Sequence, residues 1–169
     1  MKHINRILAL ALAVMMLAVP CMAGPSAEQN GVKGNGEIII TTTMDHDDAK
    51  IKADLEAAQK LLADTKDLTS IAPKLADVMK DMKIETAVED LAVRDLFHLA
   101  LTGDAEADFK ADKKITLTFD VELEDGQNLI VMVQNGDQWD VVPAADVKVE
   151  DGKATVTLTQ LGIIAFVVA

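Results

Sequence analysis

From Lys114 onward, hydrophobic and polar positions alternate. Ile115, Leu117, Phe119, Val121 and Leu123 are separated by Thr116, Thr118, Asp120 and Glu122, the period of a strand with one buried and one wet face. Glu124-Asp125-Gly126 turns the chain into a second strand, Leu129–Gln134. Asn135-Gly136 then has the residue types of a tight hairpin turn and leads back through Trp139, Val141 and Val142. A further Glu150-Asp151-Gly152 turn joins Val147–Val149 to Ala154–Leu158. The last segment, Ile163–Val168, is apolar at nearly every position, which predicts a central strand buried on both faces. Short alternating strands with turn signals between them predict a β-sandwich or a partly closed barrel; the sandwich is assigned to residues 91–169.

Upstream the period changes. Ile51, Leu55, Ala58 and Leu62 recur at helical spacing after Asp47 and Asp48, either of which suits an N-cap, so this stretch predicts an amphipathic helix. Ile71, Leu75, Val78 and Met82 repeat the spacing, with Ser70 as the expected cap and Pro73 in a first turn that tolerates it. Two such helices joined by a short loop predict a helical hairpin over 47–83. Before them, residues 37–43 form a β-branched run that reads as a strand. Residues 84–101 fit either period; the alternation of Phe97, Leu99 and Leu101 assigns them as strand.

The expected fold class is therefore α+β: a C-terminal antiparallel β-sandwich joined by an N-terminal strand, with an amphipathic helical hairpin inserted between them. Residues 37–169 are expected to make one domain. The competing division is two modules meeting near residue 90.

The N-terminus carries a different message. Lys2 and Arg6 precede an unbroken apolar run from Ile7 to Val19, and Pro20-Cys21-Met22-Ala23 closes it with small residues. This is the pattern of a secretory signal peptide over 1–23, cleaved after Ala23, since a spanning helix needs about 20 apolar residues. Residues 24–36 are Gly-rich and polar and read as a flexible linker. Cleavage would remove Cys21, the chain's one cysteine, and leave a secreted protein without disulfides, thiol nucleophile or zinc thiolates.

Charge narrows the partners. With a formal charge of −12, deepened by loss of Lys2 and Arg6, the surface repels nucleic acid phosphates and anionic lipid. The expected partner is a protein or a cell-surface polymer, with no nucleic acid and no membrane after signal cleavage, and the expected state is a monomer. Candidate chemistry is sparse. Ser26 and Ser70 are the serines, and Lys74 falls four residues after Ser70 where the penicillin-binding S-x-x-K arrangement needs three. The densest set of potential ligands is Asp45, His46, Asp47 and Asp48, between strand and helix. Helix capping accounts for an acidic pair at that place, and the competing use is a divalent ion such as Ca²⁺. His98, between Phe97 and Leu99, reads as a partly buried structural histidine, and Trp139 as a core anchor rather than a sugar platform.

Several of these segments resemble a known domain. Val93-Arg94-Asp95-Leu96-Phe97, Ile115–Phe119, Trp139-Asp140-Val141-Val142-Pro143 and Leu161–Val168 resemble a small domain recurrent in secreted and wall-associated proteins of Gram-positive anaerobes. The resemblance implies a β-sandwich and an extracellular setting and names no reaction. The function expected is a secreted, non-catalytic structural, adhesive or interaction module of the cell exterior, with no cofactor and no catalytic residue. The alternative is a Ca²⁺-dependent binding module or a carboxylate-based hydrolase working through residues 45–48.

Overall fold

The alternation is realised as strands of two antiparallel sheets, in a computed structural model that describes residues 27–29, 38–41 and 48–169. In chain order these residues form β1 (Ala27–Gln29), β2 (Ile38–Thr41), α1 (Ala49–Asp64), α2 (Leu75–Asp81), β3 (Ala92–Leu101), α3 (Gly103–Asp112), β4 (Ile115–Asp120), β5 (Leu129–Asn135), β6 (Gln138–Val141), β7 (Val147–Glu150), β8 (Lys153–Leu158) and β9 (Gly162–Val168). The four-stranded sheet runs β1-β4-β8-β7, and the five-stranded sheet runs β2-β3-β9-β5-β6. The fold is α+β and mostly sheet. The signal peptide assigned to 1–23 lies outside the described residues.

Two apolar clusters occupy the two faces of the five-stranded sheet. Alternate residues of β3, β5 and β9 (Phe97 and Leu99, Val131 and Val133, Ile164 and Phe166) join Leu117 and Phe119 of β4 and Val156 and Leu158 of β8. Three rings from three strands meet there: Phe97, Phe119 and Phe166 have centroids 5.2–5.7 Å apart, two of the pairs edge to face. The intervening residues, Leu96, Ile130, Met132, Ile163, Ala165 and Val167, face the other way and pack with Leu55, Ala58 and Leu62 of α1 and Leu75, Val78 and Met79 of α2. A strand buried on both faces has no room for polar alternation, which is why β9 is apolar throughout and lies between β3 and β5.

Several local expectations are corrected. The linker assigned to 24–36 contains β1, which pairs with β4 through Ala27 opposite Phe119. The segment assigned wholly to the sandwich, 91–169, contains α3, whose Phe109 packs on the inter-sheet cluster and whose Ala105 is fully buried. Ser70 does not cap the second helix: it ends a 3₁₀ turn, Leu68–Ser70, capped by Asp67, and α2 begins only at Leu75. Within 84–101, which fits either period, Ala92–Leu101 is strand and follows a 3₁₀ turn at Val88–Asp90. The 129–141 hairpin turns one residue later than its Asn-Gly signal: Asn135 pairs with Gln138, so Gly136 and Asp137 are the central residues. Gly136 has φ +63° and no non-glycine residue of this turn has positive φ, which matches a turn with glycine at the first central position.

Candidate functional site

Of the four residues singled out as ligands, Asp45, His46 and Asp47 lie outside the described residues. Asp48 is the N-cap of α1, where its Oδ1 accepts the backbone N–H groups of Lys50 at 2.9 Å and Ile51 at 3.1 Å. Those two donors belong to the group left unpaired at any helix start, so the side chain has a structural use before any ligand is considered. Among the described residues there is no group of three or more His, Cys, Asp and Glu side chains placed to hold a metal ion.

The fold does bring one histidine beneath that cap. His98 lies opposite Thr41 in the pairing of β3 with β2. It is half-buried, and its Nδ1 is buried without a hydrogen-bond partner. Burial lowers its pKa below the ordinary 6.5; the nearby carboxylates of Asp48 and Asp54 pull upward and Lys50 pulls downward. The first turns of α1 therefore form the electrostatic surroundings of an imidazole fifty residues further along the chain. Local spacing carries no trace of this, because the meeting depends on a helix crossing a strand.

A concave region lies elsewhere, at residues that no motif of the sequence marks as a site. β3 carries a bulge between Val93 and Asp95, so that Arg94 is the extra residue opposite β9. Arg94 lies 3.9 Å from Glu122 and 3.9 Å from Asp95, both loose ion pairs. Burial raises the Asp95 carboxyl above its usual range, and Arg94 partly opposes this. Arg94, Glu122, Glu124 and Gln127 line a shallow recess of about 420 Å³. Leu123 and Gln127 separate it from another, of about 440 Å³, that Met82, Leu129, Val147 and Val149 line. The sequence signal for Arg94 was faint: it is the one arginine after residue 6.

The remaining candidates have structural surroundings. Trp139 is 1% exposed and packs in the cluster beneath the helices, with its Nε1 buried and unpartnered. The Asp140 carboxylate accepts from Asn135 Nδ2 and Gln160 Nε2, both at 2.9 Å, and these bonds hold its pKa below the usual carboxylate range. In the first Glu-Asp-Gly sequence, Gly126 has φ +88°; in the second, Asp151 and Gly152 both have positive φ and join β7 to β8. No family model, curated protein or solved structure matches the chain.

Proposed function

We propose that this chain is a secreted, non-catalytic structural or adhesive module of the bacterial cell exterior, folded as a β-sandwich flanked by a helical hairpin. One observation carries the reading: among the described residues, the carboxylates of Asp48, Asp67 and Asp140 are engaged in holding local structure. Asp48 and Asp67 cap helical turns, and Asp140 ties a strand to the Gln160 segment. Trp139 is buried where a sugar platform would have to be open. The basic-then-apolar N-terminus supports export, and the resemblance of Val93–Phe97 and Leu161–Val168 to an extracellular domain supports the same setting. The acidic surface favours a protein or a cell-surface polymer as partner over nucleic acid or anionic lipid. Mass spectrometry of culture supernatant tests the compartment: a mature form beginning at Gly24 is expected, and a cell-retained chain beginning at Met1 would overturn it.

A Ca²⁺-dependent module is the second reading, favoured by the density of carboxylates that the sequence places at Asp45, Asp47 and Asp48. Melting with added Ca²⁺ and with chelator separates the two. An ion at a hundredfold excess over its dissociation constant stabilises the fold by about 2.7 kcal/mol, which moves the midpoint by several degrees. The non-catalytic reading expects coincident melts. A shift that Asp45→Ala abolishes would transfer the function to the 45–48 loop.

A further inference from the structure

We propose that the edge of β7, which pairs with no strand but β8 among the described residues, is a docking surface for a second copy of this chain, the two β7 strands pairing antiparallel about Val149. β7 ends the four-stranded sheet. Its pairing with β8 places Glu150 opposite Lys153 across a two-residue turn. Such a turn is closed by a hydrogen-bonded pair, and ladder pairs alternate, so Glu150 and Lys148 bond inward to β8. The N–H and C=O of Val149 then face away from the sheet. Val149 is also one of two large apolar side chains exposed among the described residues, at 38%, and it borders the 440 Å³ recess. The β6 edge of the five-stranded sheet is engaged, since the backbone N–H of Trp139 donates to the Ile71 carbonyl at 2.7 Å.

Charge selects the occupant. An antiparallel partner centred on Val149 sets Val149 against its own copy and gives two reciprocal backbone hydrogen bonds. It also sets Lys148 opposite Glu150 of the other copy, twice, at the closely spaced non-hydrogen-bonded positions. Across the outer face, Asp120 already pairs with Lys153 at 2.9 Å and Lys148 with Glu150 at 2.8 Å. The joined sheet would thus carry Asp120, Lys153, Glu150 and the second copy's Lys148 in a row of alternating sign. A foreign strand would have to bring this pattern; the sequence Val-Lys-Val-Glu supplies it to itself. Four residues a side make a small interface, of the class under about 1,200 Å², so dilute protein stays monomeric and pairing appears when copies are concentrated. The pairing does not depend on the compartment or ligand proposed above.

The test is sedimentation equilibrium over a wide concentration range at about 0.15 M salt, where the net negative charge of each copy is screened. Wild type is expected to rise from the single-chain mass towards twice that mass. Lys148→Glu alone and Glu150→Lys alone should each hold the single-chain mass, because like charges then oppose each other across the join. Their equimolar mixture should associate again, since each variant now presents the charge the other lacks, and so should the double swap. Should one single variant lose its fold, the double swap, which keeps the strand's composition, carries the test against wild type. A wild-type mass independent of concentration, single variants that associate like wild type, or a mixture no different from its components would overturn the proposal.

Discussion

His98 shows how far one side chain's behaviour is set by remote parts of the chain. Its folded pKa lies below the ordinary 6.5 because burial outweighs the pull of Asp48 and Asp54. Between those two values the unfolded chain holds a proton that the folded chain does not. The contribution is therefore complete above about pH 6.5, declines as pH falls towards the folded value, and levels off below it. Urea unfolding from about pH 7.5 to about pH 5 should show this decline, and His98→Gln should flatten it; equal slopes in the two proteins would remove His98 as its source. Asp95 acts with the opposite sign: its raised pKa adds stability in acid that is lost as pH rises through the folded value. The cap offers a second test, since Asp48→Ala should lower unfolding stability by about 1 kcal/mol at unchanged urea dependence. That His98 is partly buried was legible from Phe97 and Leu99 beside it. The neighbouring Asp54 was not, because nothing in a helical period states which strand the helix will cross.

Among elements, those with long clean periods were legible and those with few apolar residues were not. β4 and β9 follow from alternation and from its absence, and α1 from four apolar positions at helical spacing. α3 escaped because Ala105 and Phe109 are its inward positions, too few to establish any period. β1 escaped because a three-residue strand has no period to read and gains its order from pairing with β4. The 129–141 hairpin was legible as a hairpin, but Asn135-Gly136 misplaced its centre by one residue, since Asn135 serves as the closing strand residue. The corrected frame makes a sharper prediction. A Cβ at Gly136 would meet nothing within 4 Å, so Gly136→Val has only the left-handed backbone to answer for. The expected loss is about 1–2 kcal/mol, read from thermal or urea unfolding, and wild-type stability would contradict the positive φ.

The whole molecule depends on one sheet serving two cores. Because β3, β5 and β9 send alternate side chains to the inter-sheet cluster and to the helical cluster, neither can dissolve without exposing the far side of the same strands. One unfolding transition is expected, with tryptophan fluorescence and far-ultraviolet dichroism coincident; the single tryptophan reports the helical cluster and the dichroism the sheets. Phe166→Ala, at the junction of three rings, should cost about 3–5 kcal/mol and move both signals together. A stable proteolytic fragment beginning near residue 85 would instead show that the strands stand without α1 and α2.

The position of β9 also governs timing. In space it separates β3 from β5, yet in the chain it follows both, and β3 and β5 do not pair with each other. A chain being synthesised presents two strands whose shared neighbour has not yet emerged. They wait as open edges, and the contacts that close the sheet span some seventy residues, the kind of long-range pairing that folds slowly. A chain arrested before Gly162 should remain protease-sensitive, and the same chain should acquire resistance once residues 162–168 are free. Until β9 is available, the five-stranded sheet has no strand to join β3 to β5.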